Sequence, residues 1–126
     1  MVLLVVEDLI FLSRIQQTAQ AVGTEVESVD TRQIEDRAAQ GGVRAIIIDL
    51  NHCSCSAVET VRTLKRNPAT RQLPVVGFLS HVQTDLAAAA REAGCDLVLA
   101  RSAFVRQLPQ LLRKLSGQGM NATLSS

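Results

Sequence analysis

A chain of 126 residues can bury one hydrophobic core without disulfides or structural metals, so a single domain is expected. A formal net charge of +1, with three Phe and neither Trp nor Tyr, supplies no basic field and no stacking platform, which argues against direct nucleic-acid binding. The longest apolar runs are strand length, short of a membrane span, and three cysteines in no framework spacing point to a reducing compartment.

The first run, Val2–Val6, is continuous and rich in β-branched residues, as expected of a strand buried on both faces, and it ends in Glu7-Asp8. Leu9–Val22 follows as a helix, with Leu12, Ile15, Ala19 and Val22 three and four apart and Gly23 as its C-cap. Glu25–Val29 reads as a second strand and Gln33–Gln40 as a short helix broken by Gly41-Gly42. Ala45–Leu50 is the third strand, interrupted by Asp49. Ala57–Arg66 carries one apolar stripe and stops at Asn67-Pro68, because a residue before proline avoids the helical region.

Val75–Leu79 forms the fourth strand, closed by Ser80, and the alanine-rich helix Thr84–Ala93 is stopped by Gly94. Leu97–Ala100 is the fifth strand. In the last helix Phe104, Leu108, Leu111, Leu112 and Leu115 line one face. Pro109 lacks an amide hydrogen and suits a first turn, so a start around Val105 or Arg106 is expected. Residues 1–115 are read as one domain and 116–126 as a polar tail or linker stub.

This alternation predicts an α/β protein, a doubly wound five-stranded parallel sheet. Such sheets bind ligands outside the carboxyl ends of their strands, where Glu7, Asp8, Asn51, Asp49 and Ser80 all fall. Carboxylates crowded into one cleft repel unless a cation joins them. A divalent metal site beside a reactive aspartate is the economical reading.

Over residues 1–115 the order of these polar residues resembles the receiver domains of two-component response regulators. Leu3-Leu4-Val5-Val6-Glu7-Asp8 is similar to the family's first strand with its acidic pair, and Ala45-Ile46-Ile47-Ile48-Asp49-Leu50-Asn51 to its third with the phosphoacceptor. Leu73–Ser80 resembles the fourth strand with its hydroxyl, and Ala93-Gly94-Cys95-Asp96 the turn before the fifth. The resemblance implies the flavodoxin-like (βα)5 receiver fold and a cytoplasmic signalling switch, with no membrane segment and no enzymatic activity beyond self-phosphotransfer and autodephosphorylation. It implies a histidine kinase or phosphotransfer protein as donor and a downstream protein or fused output domain as recipient. Homodimerisation through the fourth helix and fifth strand is common among relatives and stays open here.

The chemistry fits Mg²⁺, which takes hard oxygen ligands in near-octahedral geometry. Asp8 and Asp49 are the candidate carboxylate ligands, the Asn51 main-chain carbonyl the third, and Glu7 a ligand through water. Asp49 is the candidate nucleophile, giving an aspartyl phosphate. Similarity to receivers gives Ser80 a hydrogen bond to the phosphoryl group, which would draw its loop inward.

Five positions, in three places, depart from the family pattern. Arg101 stands where receivers carry lysine and Ser102 where they carry proline, so a trans peptide and a guanidinium turned out of the pocket are expected. Val98 replaces the aromatic switch, and His52-Cys53 replaces the common Met-Pro. These departures keep an alternative open, a pseudo-receiver acting as a phosphorylation-independent interaction module. A flavodoxin-like flavin carrier fails for lack of a phosphate loop after the first strand.

Other groups have plainer readings. His52, Cys53, Cys55 and His81 offer soft-metal ligands, yet their spacing is not that of a zinc site. Arg62, Lys65, Arg66 and Arg71 read as a solvated face. Ala87–Ala90 reads chiefly as sheet packing, with an interface as the secondary reading. Met1-Val2-Leu3 runs directly into a strand without a positive leader segment, so no signal peptide is expected.

Overall fold

Successive side chains of a strand point to opposite faces, so a run such as Val2-Leu3-Leu4-Val5 needs cover on both sides. The computed structural model describes residues 1–51, 54–80 and 84–116, and at 54–56 the backbone alone. Strands β1 (Val2–Val5), β2 (Val26–Ser28), β3 (Ala45–Asp49), β4 (Val75–Leu79) and β5 (Leu97–Ala100) alternate with helices α1 (Leu9–Val22), α2 (Ile34–Ala39), α3 (Ser54–Arg66), α4 (Thr84–Ala93) and α5 (Arg101–Leu115). The strands form one sheet in the order β2-β1-β3-β4-β5, every neighbouring pair parallel. This is the doubly wound sheet expected.

Leu3, Val5, Ile46 and Ile48 pack on one face against Ile34, Val61 and Ala90 from α2, α3 and α4. Leu4, Ile47 and Phe78 pack on the other against Ile15 from α1 and Phe104 and Leu108 from α5. The Ala87–Ala90 segment supplies two of these contacts, since Ala87 and Ala90 are buried. Gly77 sits mid-strand because a Cβ there would come within 2.7 Å of Leu50 Cδ1 and 3.1 Å of Cys95 Sγ. That close approach packs Leu50, the residue after Asp49, against β4.

Strand order reverses between β1 and β3, and at such a switch point the loops diverge and leave a crevice at the carboxyl ends. Register pairs Val5 with Ile48 and Asp49 with Phe78, so the ends of β1, β3 and β4 reach one rim.

Several boundaries match expectation. Gly23 caps α1 at φ 74°, Gly41 and Gly42 break the chain after α2 at positive φ, and α3 ends at Arg66 before Asn67-Pro68. The last helix differs: α5 begins at Arg101, a full turn before the expected start, and Pro109 lies inside it. With an ordinary trans peptide at Arg101–Ser102 the helix can start directly from β5, and burial of Phe104 and Leu108 outweighs the one hydrogen bond that Pro109 removes.

Lys65 is also a correction, since it is no member of a solvated face. Its Nζ donates to Leu73 O at 2.9 Å and Arg71 O at 3.2 Å and pairs with Asp96 Oδ2 at 2.7 Å. Asp96 Oδ2 accepts from Val75 N at 2.8 Å, so this cluster ties α3 to the starts of β4 and β5. A lysine stem can lie along apolar surface while its head finds carbonyls, which composition alone does not reveal. No helix among the described residues is long and apolar enough to cross a membrane. Of the expected tail, only Ser116 lies within the described residues.

Candidate functional site

Asp8 follows β1 and caps α1. Its Oδ1 accepts the amide hydrogens of Ile10 at 3.0 Å and Phe11 at 3.2 Å, satisfying two of the donors that a helix start leaves unpaired. The cap fixes the carboxylate at the sheet rim, with Oδ2 turned toward Arg101.

Asp49 is the last residue of β3 and only 5% exposed. Its Oδ1 accepts from the Asn51 N–H at 2.9 Å, a turn that its own side chain builds. Asn51 Oδ1 in turn accepts from the Ser80 N–H at 2.6 Å, tying the loop after β3 to the end of β4. Ser80 is exposed and lines an open cleft of about 560 Å³ together with Asp8, Phe11, Arg14, Arg101 and Ser102. The structure therefore brings Asp8, Asp49, Asn51, Ser80 and Arg101 to one rim.

Arg101 departs from expectation in one respect and agrees in another. The Arg101–Ser102 peptide is trans, as expected. The guanidinium nevertheless turns inward, with Nη1 3.7 Å from Asp8 Oδ2 and Nη2 3.9 Å from Asp49 Oδ2. These are ion pairs rather than hydrogen bonds. The physical reason is the ring of Phe11, whose centroid lies 4.4 Å from Arg101 Cζ, with that of Phe78 at 5.8 Å. A planar cation over an aromatic face gains about 0.5–2 kcal/mol, and the two carboxylates complete the trap.

Phe11 is thus the residue that sequence reading did not single out. It falls outside the stripe of Leu12, Ile15, Ala19 and Val22, and no spacing rule links it to a residue at the far end of the chain. The signal was available only as an aromatic residue three positions after a strand-end acid.

The fit to a divalent cation can be judged from donors. Asp8 Oδ2 and Asp49 Oδ2 address one positive group, so two hard oxygens can share a cation. Among the described residues no group of three or more His, Cys, Asp and Glu side chains could hold a metal ion. Glu7 lines a neighbouring groove with Ser28 and Asp30. The donor set fits an oxygen-liking ion held by two carboxylates and completed by carbonyl and water, and not a site built from three or more protein carboxylates. Of the soft-ligand group, His52, Cys53 and His81 and the side chain of Cys55 lie outside the described residues.

No protein-family profile and no curated protein matches the sequence. Solved structures do. A putative response regulator from Chloroflexus aurantiacus superposes with a TM-score of 0.80 at 17% identity, covering 93% of this chain and 97% of its own. The receiver domain of a sensor histidine kinase from Pseudomonas aeruginosa, with a magnesium ion coordinated in its active-site cleft, gives 0.78 at 19% identity over 93% and 97%. A phosphorylated cyanobacterial phytochrome response regulator gives 0.74 at 21% identity over 91% of each chain. The superpositions span nearly the whole of each chain, and the fold is that of the response-regulator receiver domain.

Proposed function

We propose that this chain is a phosphoacceptor, a receiver that takes a phosphoryl group from a histidine kinase or phosphotransfer protein onto Asp49 with Mg²⁺ and so acts as a signalling switch. One observation carries the reading: Asp8 and Asp49, from adjacent strand ends, turn a carboxylate oxygen each toward the same cation, in a cleft that Ser80 also lines. Structures with this fold include one phosphorylated receiver and one with magnesium in its cleft, which adds support.

The Asn51 N–H on Oδ1 orients the Asp49 carboxylate so that Oδ2 faces the cleft. In the transfer Oδ2 attacks phosphorus, the P–N bond of a phosphohistidine breaks, and the imidazole leaves with the bonding pair and takes up a proton. The Ser80 hydroxyl donates to the phosphoryl group from the next strand end, and the Arg101 guanidinium, once released from Asp8 and Asp49, donates N–H groups to its oxygens from the cleft mouth. Asp8, Asp49 and the Asn51 carbonyl would hold Mg²⁺, with Glu7 reaching it through water, and the bound ion supplies neutralisation of phosphoryl charge. Leu9 and Ile10 stand 76% and 83% exposed at the start of α1, an apolar rim suited to a donor protein.

Incubation with a small phosphodonor and Mg²⁺, read by intact mass, tests this. One phosphoryl adduct is expected on the wild-type chain and none on Asp49→Asn. Its complete absence, even with a cognate kinase, would favour the second reading, a phosphorylation-independent binding module. The ion pairs of Arg101 favour that reading, because they neutralise the acids without any metal.

A further inference from the structure

The guanidinium of Arg101 lies under opposed forces. Two carboxylates and the Phe11 ring hold it in the cleft, while its Nε is buried with no hydrogen-bond partner among the described residues. A buried donor without a partner is a standing penalty on that rotamer. We propose that Arg101 is the resident counter-cation of the cleft, which a divalent ion must displace from Asp8 and Asp49, and that Phe11 is the positioning residue that holds it there. The inference rests on the phosphoacceptor reading, since it concerns the same carboxylates.

Distance makes the two cations rivals. A divalent ion of the magnesium kind binds oxygen at about 2.0–2.1 Å. Guanidinium nitrogens already lie 3.7 and 3.9 Å from the oxygens such an ion would use. Two positive centres sharing this pair would stand only a few ångströms apart, beside a carboxylate that solvent barely reaches. The arginine therefore leaves as the ion arrives.

A way out exists. The Arg101 side chain is 31% exposed, and the cleft opens past Ile10, Arg14 and Val105. Outward rotation hydrates Nε, which offsets part of the lost ion pairing. Phe11 stays in place because its own ring is locked, 4.9 Å from Phe78 and 5.9 Å from Phe104 by centroids. Lysine at this position would lack the planar face that stacks on the ring, so the hold by Phe11 belongs to arginine.

The test measures Mn²⁺ affinity by electron paramagnetic resonance on the full wild-type chain, Arg101→Gln and Phe11→Leu, with thermal midpoints confirming that each is folded. Arg101→Gln is expected to bind roughly tenfold tighter, as loss of one competing charge warrants, and Phe11→Leu to shift in the same direction by less. On the wild-type chain alone, saturating Mg²⁺ should move the Arg101 Nε–H resonance toward its solvent-exposed position. Equal or weaker binding by both variants, or an unmoved Nε–H resonance at saturation, overturns the displacement and leaves the phosphoacceptor reading standing. Absence of binding by all three chains overturns this proposal together with the Mg²⁺ part of that reading. Should either variant fail to fold, the wild-type resonance decides the matter.

Discussion

Cys95 shows how much one position can carry at the residue scale. Its Sγ donates toward Val75 O at 3.4 Å and Leu97 O at 3.3 Å, at the amino end of β4 and far from the acidic rim. Burial pushes the thiol up from 9.0 to about 11. Between those values the unfolded chain has lost the proton and the folded chain keeps it, so stability is full below pH 9 and falls as pH rises toward 11. The loss amounts to about 3 kcal/mol at most. Urea unfolding at pH 8 and pH 10.5 checks this, and Cys95→Ala is expected to lose that part of the pH slope. Arg101 makes the complementary point. Its identity in place of lysine was plain in the sequence, but its direction was not, because direction came from a ring contact that only the assembled fold creates.

At the scale of elements, hydrophobic period did most of the work. β1, β3 and β4 were legible as apolar runs because they are buried on both faces, and α1 because Leu12, Ile15 and Ala19 fall on one buried stripe ending at Gly23. The start of α5 was not legible, since a local rule about proline competed with the burial of Phe104 and burial won. That outcome has a measurable cost. Pro109 cannot bond to the carbonyl of Val105 one turn back, so Pro109→Ala is expected to raise stability by about 1–3 kcal/mol in chemical denaturation, with the exposed and buried faces of α5 unchanged. The early start also matters for the site. It places Arg101 on the first turn of a rigid helix instead of in a loop, directly opposite the Asp8 cap on α1.

For the whole molecule, the two ends of the sheet have separate work. The amino end is held by the Lys65–Asp96 pair and its carbonyl acceptors, contacts that stabilise and that the sequence, with its unremarkable run of basic residues, did not distinguish from solvated charge. The carboxyl end gathers the acids. Their convergence could be anticipated because a parallel sheet with short turns must bring successive strand ends to one rim, and strand order 2-1-3-4-5 opens a crevice between β1 and β3. Asp8 and Asp49 were the pair singled out from the sequence, but how each carboxylate is aimed was not legible, since that depends on a helix cap at Asp8 and a turn at Asp49. The most direct measurement is to phosphorylate the chain with a small phosphodonor and Mg²⁺, trap the acyl phosphate by borohydride reduction, and locate the reduced residue by peptide mass. Reduction is expected at Asp49 alone. A trapped adduct at Asp8, at Glu7 or at any other carboxylate would contradict it.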